Sequence, residues 1–314
     1  MTTWDVVVVG EVLGEISSPI AFAEGVEARF GASGDALNVA AAAASAGART
    51  ALAAVLPDDE LGDAIVARIR ELGISEALLR RRPGQLGMYL VHSDPDGARE
   101  FFYARSGSAG STLSPDDLDD AALRGAGAVV ASGIAGAISA TARAAVRHAA
   151  IRATRFVYDP NLRPRLTTTA EAAALLAELA PHAALITPSA PHETRELLGT
   201  DDPRAAADRL LALGARDVAV TCGARGVQLA GAGGAVWIDT IPAPRIVDQS
   251  GAGDAFLGTT VARLVTGEPL EQAARSGMAA ASLAVGEAGA GSIPAWDRVT
   301  AHLAAARVAA GAAS

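Results

Sequence analysis

The sequence predicts an α/β fold built on a mainly parallel sheet, and three features support this. The β-branched run from Asp5 to Gly10 is typical of a parallel strand buried on both faces. After it, short apolar runs alternate with longer amphipathic or alanine-rich segments, as expected for β-α units. Polar stretches with glycine or arginine follow several predicted strands, which is where open α/β sheets bind ligands.

The N-terminal part of the chain predicts two β-α units. A mixed stretch between residues 15 and 33 leads to an alanine-rich helix from Ala36 to Gly47. A second strand is expected from Thr50 to Val55, and an amphipathic helix from Leu61 to Leu72. The triplet Arg80–Arg82 is interpreted as a solvated helix end.

The segment from Gly87 to Arg105 interrupts this alternation. It predicts two strands around the turn sequence D-P-D-G, and therefore a hairpin. A small sheet covering a ligand would use its aromatic side chains, but simple packing of an outlying sheet explains them equally well. These side chains are Tyr89, Phe101, Phe102 and Tyr103.

From residue 115 the alternation returns and continues to the C-terminal region. Helices are expected at Pro115–Leu123, Ala140–Ala153, Ala170–Ala180, Glu193–Leu198, Pro203–Leu213, Leu270–Val285 and Trp296–Ala309. Strands are expected at Ala128–Ser132, Phe156–Asp159, Ala184–Thr187 and Asp217–Thr221, with a short hairpin formed by Gly226–Ala230 and Ala235–Ile238. Nothing in the composition indicates an interdomain linker.

The most informative stretch is V-D-Q-S-G-A-G-D-A-F-L-G, from Val247 to Gly258. Its small residues let successive backbone amides approach an anion, and the run from Ala255 to Leu264 predicts a helix beginning there. Asp254 is then a carboxylate beside an anion pocket, as expected of a general base that deprotonates a hydroxyl during phosphoryl transfer. An ordinary helix cap is the alternative. The amides in question belong to Gly251, Ala252 and Gly253.

Two other loops that follow predicted strands are also candidate anion-binding sites. The sequence D-P-N-L-R places Asn161 and Arg163 after a predicted strand. A guanidinium pairs bidentately with a phosphoryl group or a carboxylate, although a surface role for Arg163 remains open. Asp248 either orients the anion loop, helps to hold a cation, or caps a helix. The candidate nucleotide-lining residues of T-C-G-A-R-G are Thr221, Gly223 and Gly226.

Composition argues against several classes of function. The net charge is −9, which disfavours nucleic acid or an anionic membrane as the main partner. All 26 Lys and Arg side chains are arginine, so Walker-type loops and lysine Schiff bases are excluded. The histidines lack metal-ligand spacing. The single cysteine, Cys222, and the absence of a signal-peptide or membrane-span pattern predict a cytoplasmic protein.

The order of these motifs resembles the ribokinase-like sugar kinases, also called the PfkB family. The motifs are G-E-V-L, G-D-A-L-N-V-A, D-P-N-L-R, T-C-G-A-R-G and D-Q-S-G-A-G-D-A-F. The resemblance implies a single domain over residues 1–314, folded as a three-layer α-β-α sandwich. A mainly parallel central sheet would carry a small β lid formed by residues 14–33 and 86–106. ATP as phosphoryl donor, Mg²⁺ and Asp254 as base are also implied.

Within that family, G-D-A-L-N, G-M-Y-L, F-Y-A-R-S-G-S-A and D-P-N-L-R are most similar to 2-keto-3-deoxygluconate kinases. Their acidic substrate would give Arg105 and Arg163 a carboxylate to pair with. The resemblance assigns Gly34, Asp35, Asn38, Tyr89, Tyr103, Arg105 and Arg163 to the substrate. It assigns Asn161, Thr221, Gly223, Gly226, Gly251 and Gly253 to the nucleotide, and catalysis to Asp254 with Gly251, Ala252, Gly253 and Arg163.

The chain departs from the family pattern at several positions. Gln249, Glu15 and Ser33 replace commoner residues, and Glu193 remains from an N-x-x-E motif in which Ala190 replaces Asn. Glu193 is therefore expected to act at Mg²⁺ only indirectly. A kinase for a neutral sugar or nucleoside, and a non-catalytic sugar- or nucleotide-binding regulator, are the alternative functions. Pairing of two copies through an exposed lid edge would give a homodimer.

Overall fold

The computed structural model of the chain describes residues 3–92, 101–287, 289 and 291–312. The strands in these residues are β1 (Val6–Val9), β2 (Leu13–Ser18), β3 (Arg29–Ser33), β4 (Thr50–Ala53), β5 (Val55–Pro57), β6 (Arg80–Arg82), β7 (Met88–His92), β8 (Phe101–Ala104), β9 (Ala128–Ser132), β10 (Phe156–Asp159), β11 (Ala183–Ile186), β12 (Val218–Thr221), β13 (Gly226–Gly231) and β14 (Gly234–Asp239). The α-helices are α1 (Asp35–Ser45), α2 (Glu60–Glu71), α3 (Asp120–Gly125), α4 (Gly133–Ala137), α5 (Ala140–Arg152), α6 (Thr169–Leu179), α7 (His192–Leu198), α8 (Pro203–Ala212), α9 (Ala252–Val265), α10 (Leu270–Ala284) and α11 (Trp296–Ala312).

Eight strands form the main sheet, in the order β14-β13-β12-β11-β10-β9-β1-β4. The strands from β4 to β12 run parallel, and β13 and β14 are antiparallel. Val7 and Val9 of β1 pack into one apolar cluster, whereas Val6 and Val8 pack into another. Because successive side chains of a strand point to opposite faces, the sheet is covered on both sides. The predicted α/β class with a mainly parallel sheet is confirmed.

A second sheet has four strands in the order β3-β2-β7-β8. The predicted hairpin is present, since β7 and β8 pair antiparallel with Tyr89 opposite Tyr103. The D-P-D-G turn between them lies outside the described residues. This sheet, called the lid sheet below, joins the segments expected to form a lid, but its movement over a ligand stays a prediction.

Two N-terminal expectations were wrong. The strand expected from Thr50 to Val55 is divided, because β4 pairs with β1 whereas β5 pairs with β6. The arginine triplet expected at a helix end is itself β6. Arg81 forms an ion pair with Asp63 of α2. One of the charges that suggested a solvated helix end therefore helps to hold β6 against α2.

The helix expected from Pro115 to Leu123 was also wrong in its extent. Residues 115–117 form a 3₁₀ turn, and α3 begins only after Asp119. The Asp119 carboxylate accepts hydrogen bonds from the amides of Ala121 and Ala122, which caps a new helix start. The short helix α4 was not anticipated, because five residues are too few for a periodic pattern.

Helices α1 and α9 pack closely beside β1, and this contact positions the candidate site. A Cβ on Gly258 of α9 would collide with the carbonyl oxygen of Val39 in α1. Glycine therefore allows the two backbones to approach. Separately, none of the helices in the described part of the chain combines the length and apolar character required to cross a membrane.

Candidate active site

The candidate site lies at the carboxyl ends of the parallel strands. Ser132 and Asp159 are the last residues of β9 and β10, which are neighbours in the sheet. They line one small cavity together with Asp35, the first residue of α1, and Asp254 in the first turn of α9. The structure thus brings Asp35 and Asp254 together, although 219 positions separate them in the sequence.

The start of α9 has the geometry expected of an anion site. Gly251 has a φ of 78° and caps a 14-residue helix, a conformation that favours glycine. Within the described residues, the amides of Gly251, Gly253 and Asp254 donate no hydrogen bond to another backbone carbonyl, whereas the Ala252 amide donates one of 3.4 Å to Gln249. Unpaired amides at a helix N-terminus attract negative charge.

Asp254 is held in an ordered position by Asn38. The Asn38 amide nitrogen donates a hydrogen bond of 2.8 Å to Asp254 Oδ2. Burial within the protein, followed by the charge of Asp35, raises the pKa of Asp254 to about 7, while Asn38 and Arg163 oppose the rise. The residue keeps partial solvent access. Such a carboxyl group can accept a proton near neutral pH and can still be reached by a hydroxyl.

Two further carboxylates lie near Asp254. Asp35 accepts a hydrogen bond from the Ser132 hydroxyl. Asp159 is buried, and burial together with the charges of Glu193, Asp254 and Asp35 raises its pKa well above the ordinary value. Carboxyl groups crowded together in this way favour positive or proton-donating neighbours, which is consistent with a substrate hydroxyl.

The loop after β10 carries Asn161 and Arg163. Asn161 is buried at a φ of 38°, a conformation that asparagine tolerates better than most residues. The backbone amide of Asn161 donates a hydrogen bond of 3.2 Å to the Asp159 carboxylate. Arg163 is exposed and forms no ion pair within the described part of the chain. Its charge lowers the pKa values of Asp159 and Asp254, so its guanidinium lies near both carboxyl groups.

Glu193 connects the β10 loop to the loop before α7. One of its carboxylate oxygens accepts a hydrogen bond of 2.6 Å from the Leu162 amide. The other accepts hydrogen bonds from the Ser189 amide and hydroxyl, at 2.7 and 2.9 Å. Both oxygens are therefore occupied in holding loops. No group of three or more metal-ligating side chains occurs among the described residues.

The lid sheet places two tyrosines and an arginine together. Tyr89 is buried and donates to Glu15, while its oxygen lies 2.9 Å from the Ser33 hydroxyl. The Tyr103 ring is 5.9 Å from that of Tyr89, and the Arg105 guanidinium lies 5.9 Å from the Tyr103 ring. Gly34 turns the chain from β3 into α1 with a φ of 115°.

A cavity of about 590 Å³ opens between β8 of the lid sheet and the loop after β10. Arg105 and Arg163 both line it, as the sequence predicted for an acidic ligand. A third arginine, Arg165, also lines it and donates a hydrogen bond of 2.9 Å to the Phe101 carbonyl in β8. Sequence reasoning missed Arg165, although it lies only two residues after Arg163 in the same loop.

The structure also places Arg105 against a partner that sequence reasoning missed. Its guanidinium forms an ion pair with Glu11, which follows β1 and is almost completely buried. The Ser108 hydroxyl donates to the same carboxylate at 2.7 Å. Burial raises the pKa of Glu11, while Arg105 and Ser108 oppose the rise. The G-E-V-L motif contained Glu11, but nothing in the sequence indicated a partner 94 positions away.

The loop from Thr221 to Gly226 meets the rest of the expected site through the loop before α7. Thr221 bonds with the Pro188 and Ala190 backbone, and Gly226 is held close to the Ile238 carbonyl. Gly223, at a φ of 55°, has open space around it. No hydrogen bond in the described residues links this loop to Asp254, so its nucleotide role stays a prediction.

Comparison with known proteins places this architecture in a family. The family model described as pfkB family carbohydrate kinase matches residues 5–297. The 2-dehydro-3-deoxygluconokinase of Thermoproteus tenax is 34% identical over 260 residues, covering 82% of this chain and 80% of that protein. The 2-dehydro-3-deoxygalactonokinase of Haloferax volcanii is 30% identical over 292 residues, covering 90% and 91%. The crystal structure of a PfkB protein from Polaromonas sp. JS666 superposes with a TM-score of 0.86 at 28% identity, covering 95% of this chain and all of that one.

Proposed function

The chain belongs to the pfkB family of carbohydrate kinases, and from that premise we propose that it phosphorylates an acidic sugar. The proposed reaction transfers the γ-phosphoryl group of ATP to a hydroxymethyl group of 2-keto-3-deoxygluconate or a close relative. Two relatives are named for kinases of 2-dehydro-3-deoxy sugar acids, one of the gluconate and one of the galactonate form. The observation that carries the proposal is the three arginines on one cavity, of which Arg163 lies near enough to Asp254 for its charge to lower the pKa of that carboxyl.

Asp254 is the proposed general base. Its carboxylate takes the proton of the sugar hydroxyl while the hydroxyl oxygen forms a bond to the γ-phosphorus and the bond to ADP breaks. The amides of Gly251, Ala252 and Gly253 then stabilise charge on the moving phosphoryl group. Arg163 assists, because it is exposed, lacks an ion-pair partner among the described residues, and lies close enough to lower the pKa of Asp254.

The cavity between the lid sheet and the β10 loop favours an acidic substrate. Its cationic side chains, Arg105, Arg163 and Arg165, project from two different parts of the fold. A neutral sugar would leave Arg163 and Arg165 without an anionic partner, whereas a carboxylate pairs with arginine through two hydrogen bonds. The roles expected for Tyr89, Tyr103 and Asn38 at the sugar are part of this proposal.

Mg²⁺ is proposed to arrive with the phosphates of ATP. Both carboxylate oxygens of Glu193 are used by loop hydrogen bonds, and the described residues contain no cluster that would form an all-protein metal cage. Glu193 would act on the metal only indirectly, by fixing the Asn161 loop. The Thr221, Gly223 and Gly226 loop remains the proposed nucleotide side of the site.

A cytoplasmic location and a homodimer also belong to the proposal. The order of the lid sheet leaves β3 and β8 as its edge strands. Phe30 of β3 is 41% exposed and Phe102 of β8 is 49% exposed. Unpaired edges with apolar side chains favour pairing with a second copy.

The decisive experiment measures ATP turnover across a panel of sugars. We expect the highest kcat/KM with 2-keto-3-deoxygluconate or its galactonate epimer, and lower values with fructose, ribose and nucleosides. Asp254→Asn should lower kcat by about 10²- to 10⁴-fold. Asp117→Asn is a matched control, because Asp117 is a buried carboxylate paired with Arg82 outside the candidate site. Wild-type turnover by Asp254→Asn would refute the mechanism.

A second pair of variants tests the acidic substrate. Arg105→Ala should lose activity on acidic sugars far more than on neutral ones, because only acidic sugars have a carboxylate that Arg105 can bind. Arg82→Ala removes an arginine that also pairs with a buried acid but does not line the cavity. Equal loss on acidic and neutral sugars after Arg105→Ala would count against the proposed substrate class.

A further inference from the structure

Glu11 is a buried carboxylate that the phosphoryl-transfer mechanism does not use. It follows β1, whereas its partners Arg105 and Ser108 follow β8 of the lid sheet. Only 1% of its side chain is exposed, and 10% of that of Arg105. Burying a carboxylate is costly unless it is paired, so this contact restrains Arg105 relative to the main sheet.

The surrounding backbone reserves space for this carboxylate. A Cβ on Gly110 would lie 2.6 Å from Glu11 Cγ, and one on Gly87 would lie 2.9 Å from Glu11 Oε1. Any side chain at either position would collide with Glu11. Gly87 and Gly110 therefore have a shared structural role, which is to admit the Glu11 side chain between the lid sheet and β1.

Arg105 has a donor that the protein leaves unused. Its Nη2 atom pairs with Glu11, but its Nε atom is buried without a hydrogen-bond partner in the described residues. The same side chain lines the 590 Å³ cavity and lies against the Tyr103 ring. An unsatisfied buried donor is costly, so the protein keeps Arg105 in this position against a penalty that its pair with Glu11 offsets.

We infer that Glu11 is a positioning residue that holds the Arg105 guanidinium for the carboxylate of the acidic sugar. This inference rests on the proposed function. Glu11 holds Nη2 of a guanidinium that lines the cavity, so that the sugar acid binds an arginine already fixed in place. The ordering of a long side chain is then largely completed before binding.

The direction of the change in KM distinguishes a positioning role for Glu11 from a simple effect of its charge. Glu11 is negative, so removing its charge would by itself strengthen the attraction of Arg105 for an anionic sugar and lower KM. If Glu11 positions Arg105, its removal instead frees the guanidinium to adopt other rotamers and KM rises. The two effects predict opposite changes from one substitution.

The test is Glu11→Gln, assayed with 2-keto-3-deoxygluconate at saturating ATP. We expect KM to rise about tenfold while kcat changes by less than about threefold, because the groups around Asp254 are untouched. A neutral sugar should show little change in KM. A KM for the acidic sugar that falls or stays constant would overturn the inference.

A double-mutant cycle shows whether Glu11 acts through Arg105. In an Arg105→Ala background, Glu11→Gln should no longer raise the KM for the acidic sugar, since the group it positions is gone. A purely structural role would give the same rise in both backgrounds and would contradict the inference. Asp117→Asn serves as the control, because it breaks a comparable pair to an arginine and a serine elsewhere.

Failure of the proposed function remains distinguishable from failure of this inference. Wild-type turnover of the acidic sugar is measured first and tests the function alone. If Glu11→Gln does not fold, Ser108→Ala removes the 2.7 Å hydrogen bond to Glu11 and keeps every charge. It should raise KM for the acidic sugar by about twofold to threefold, and an unchanged KM would overturn the positioning role.

Discussion

At the scale of single residues, opposing influences set the pKa of Asp254. Asp254 is surrounded by protein and lies near Asp35, and both raise its pKa to about 7, whereas Asn38 and Arg163 lower it. An ordinary aspartate would be too weak a base to take a proton from a hydroxyl at neutral pH. The neighbours of Asp254 thus adjust its basicity without removing its access to solvent.

This balance predicts the pH dependence of the enzyme. A general base works only when deprotonated, so kcat/KM should fall as the pH drops below about 7. The hydrogen bond from Asn38 stabilises the ionised carboxylate, and Asn38→Ala should therefore move this acidic limb to higher pH. The measurement is kcat/KM between pH 5 and pH 9 for both proteins.

The Asn38 variant also serves as a control for the titration of ATP. The phosphates of ATP titrate identically with both proteins, so a limb caused by ATP would not move. An acidic limb near the ordinary aspartate pKa, or one unaffected by Asn38→Ala, would contradict the assignment of Asp254 as the titrating base.

Residues fixed by local backbone chemistry were predictable, whereas those fixed by distant partners were not. Gly251 and Asp254 follow from one short motif, because a glycine-rich helix start is a local feature. Arg105 was found, but its ion pair with Glu11 was not, since their proximity depends on how the lid sheet meets β1. For Arg165, only its position near Arg163 in the sequence could have indicated that it lines the cavity.

At the scale of elements, the proposed chemistry depends on how α1 lies against α9. Asn38 belongs to α1 and Asp254 to α9, and one hydrogen bond of 2.8 Å joins them. The helices can approach because Gly258 has no side chain where the Val39 carbonyl passes. Packing at Gly258 therefore controls a contact one turn away, at the end of α9 that carries the proposed base.

Gly258→Ala is expected to separate these helices. The added Cβ would collide with a backbone oxygen, which cannot move without the helix. We expect a loss of about 1–3 kcal/mol in the free energy of unfolding, despite the better helix propensity of alanine. Because the Asn38 to Asp254 contact would lengthen, kcat/KM should fall about tenfold or more.

Gly125→Ala is the matched control for this prediction. Gly125 ends α3, and the atom nearest to a Cβ added there would be 4.0 Å away, on Thr3. The substitution should leave the midpoint of denaturant unfolding and kcat/KM close to wild type. A Gly258→Ala enzyme as stable and as active as this control would show that the helix contact does not govern the site.

The elements themselves were predictable to the extent that each carried its own periodic pattern. β1, α5 and α9 appear close to where the sequence placed them, because each has a continuous apolar run or face. The division of Thr50 to Val55 into β4 and β5 was missed. It arises from pairing with two different partners, and no local pattern encodes a partner.

At the scale of the whole molecule, the charges are unevenly distributed. The net charge of −9 would repel an anionic sugar and ATP at long range. Three arginines nevertheless line the 590 Å³ cavity, and two of them, Arg163 and Arg165, are exposed. With no lysine in the sequence, attraction of the substrate depends on this local group and on backbone amides.

The KM for an acidic sugar should therefore rise with ionic strength. The screening length falls from about 10 Å at 0.1 M salt to about 3 Å at 1 M, which weakens attraction by exposed guanidinium groups most. At saturating ATP, we expect KM for 2-keto-3-deoxygluconate to rise about threefold or more between 0.02 and 0.5 M NaCl.

Arg165 provides the control that assigns this salt effect to the cavity. Arg165→Gln removes one exposed charge and keeps a side chain able to donate to the Phe101 carbonyl. Its KM at low salt should be higher than that of wild type and should rise less steeply with NaCl, because less attraction remains to be screened. A wild-type KM independent of salt, or an Arg165→Gln slope equal to that of wild type, would mean that buried Arg105 alone recognises the carboxylate.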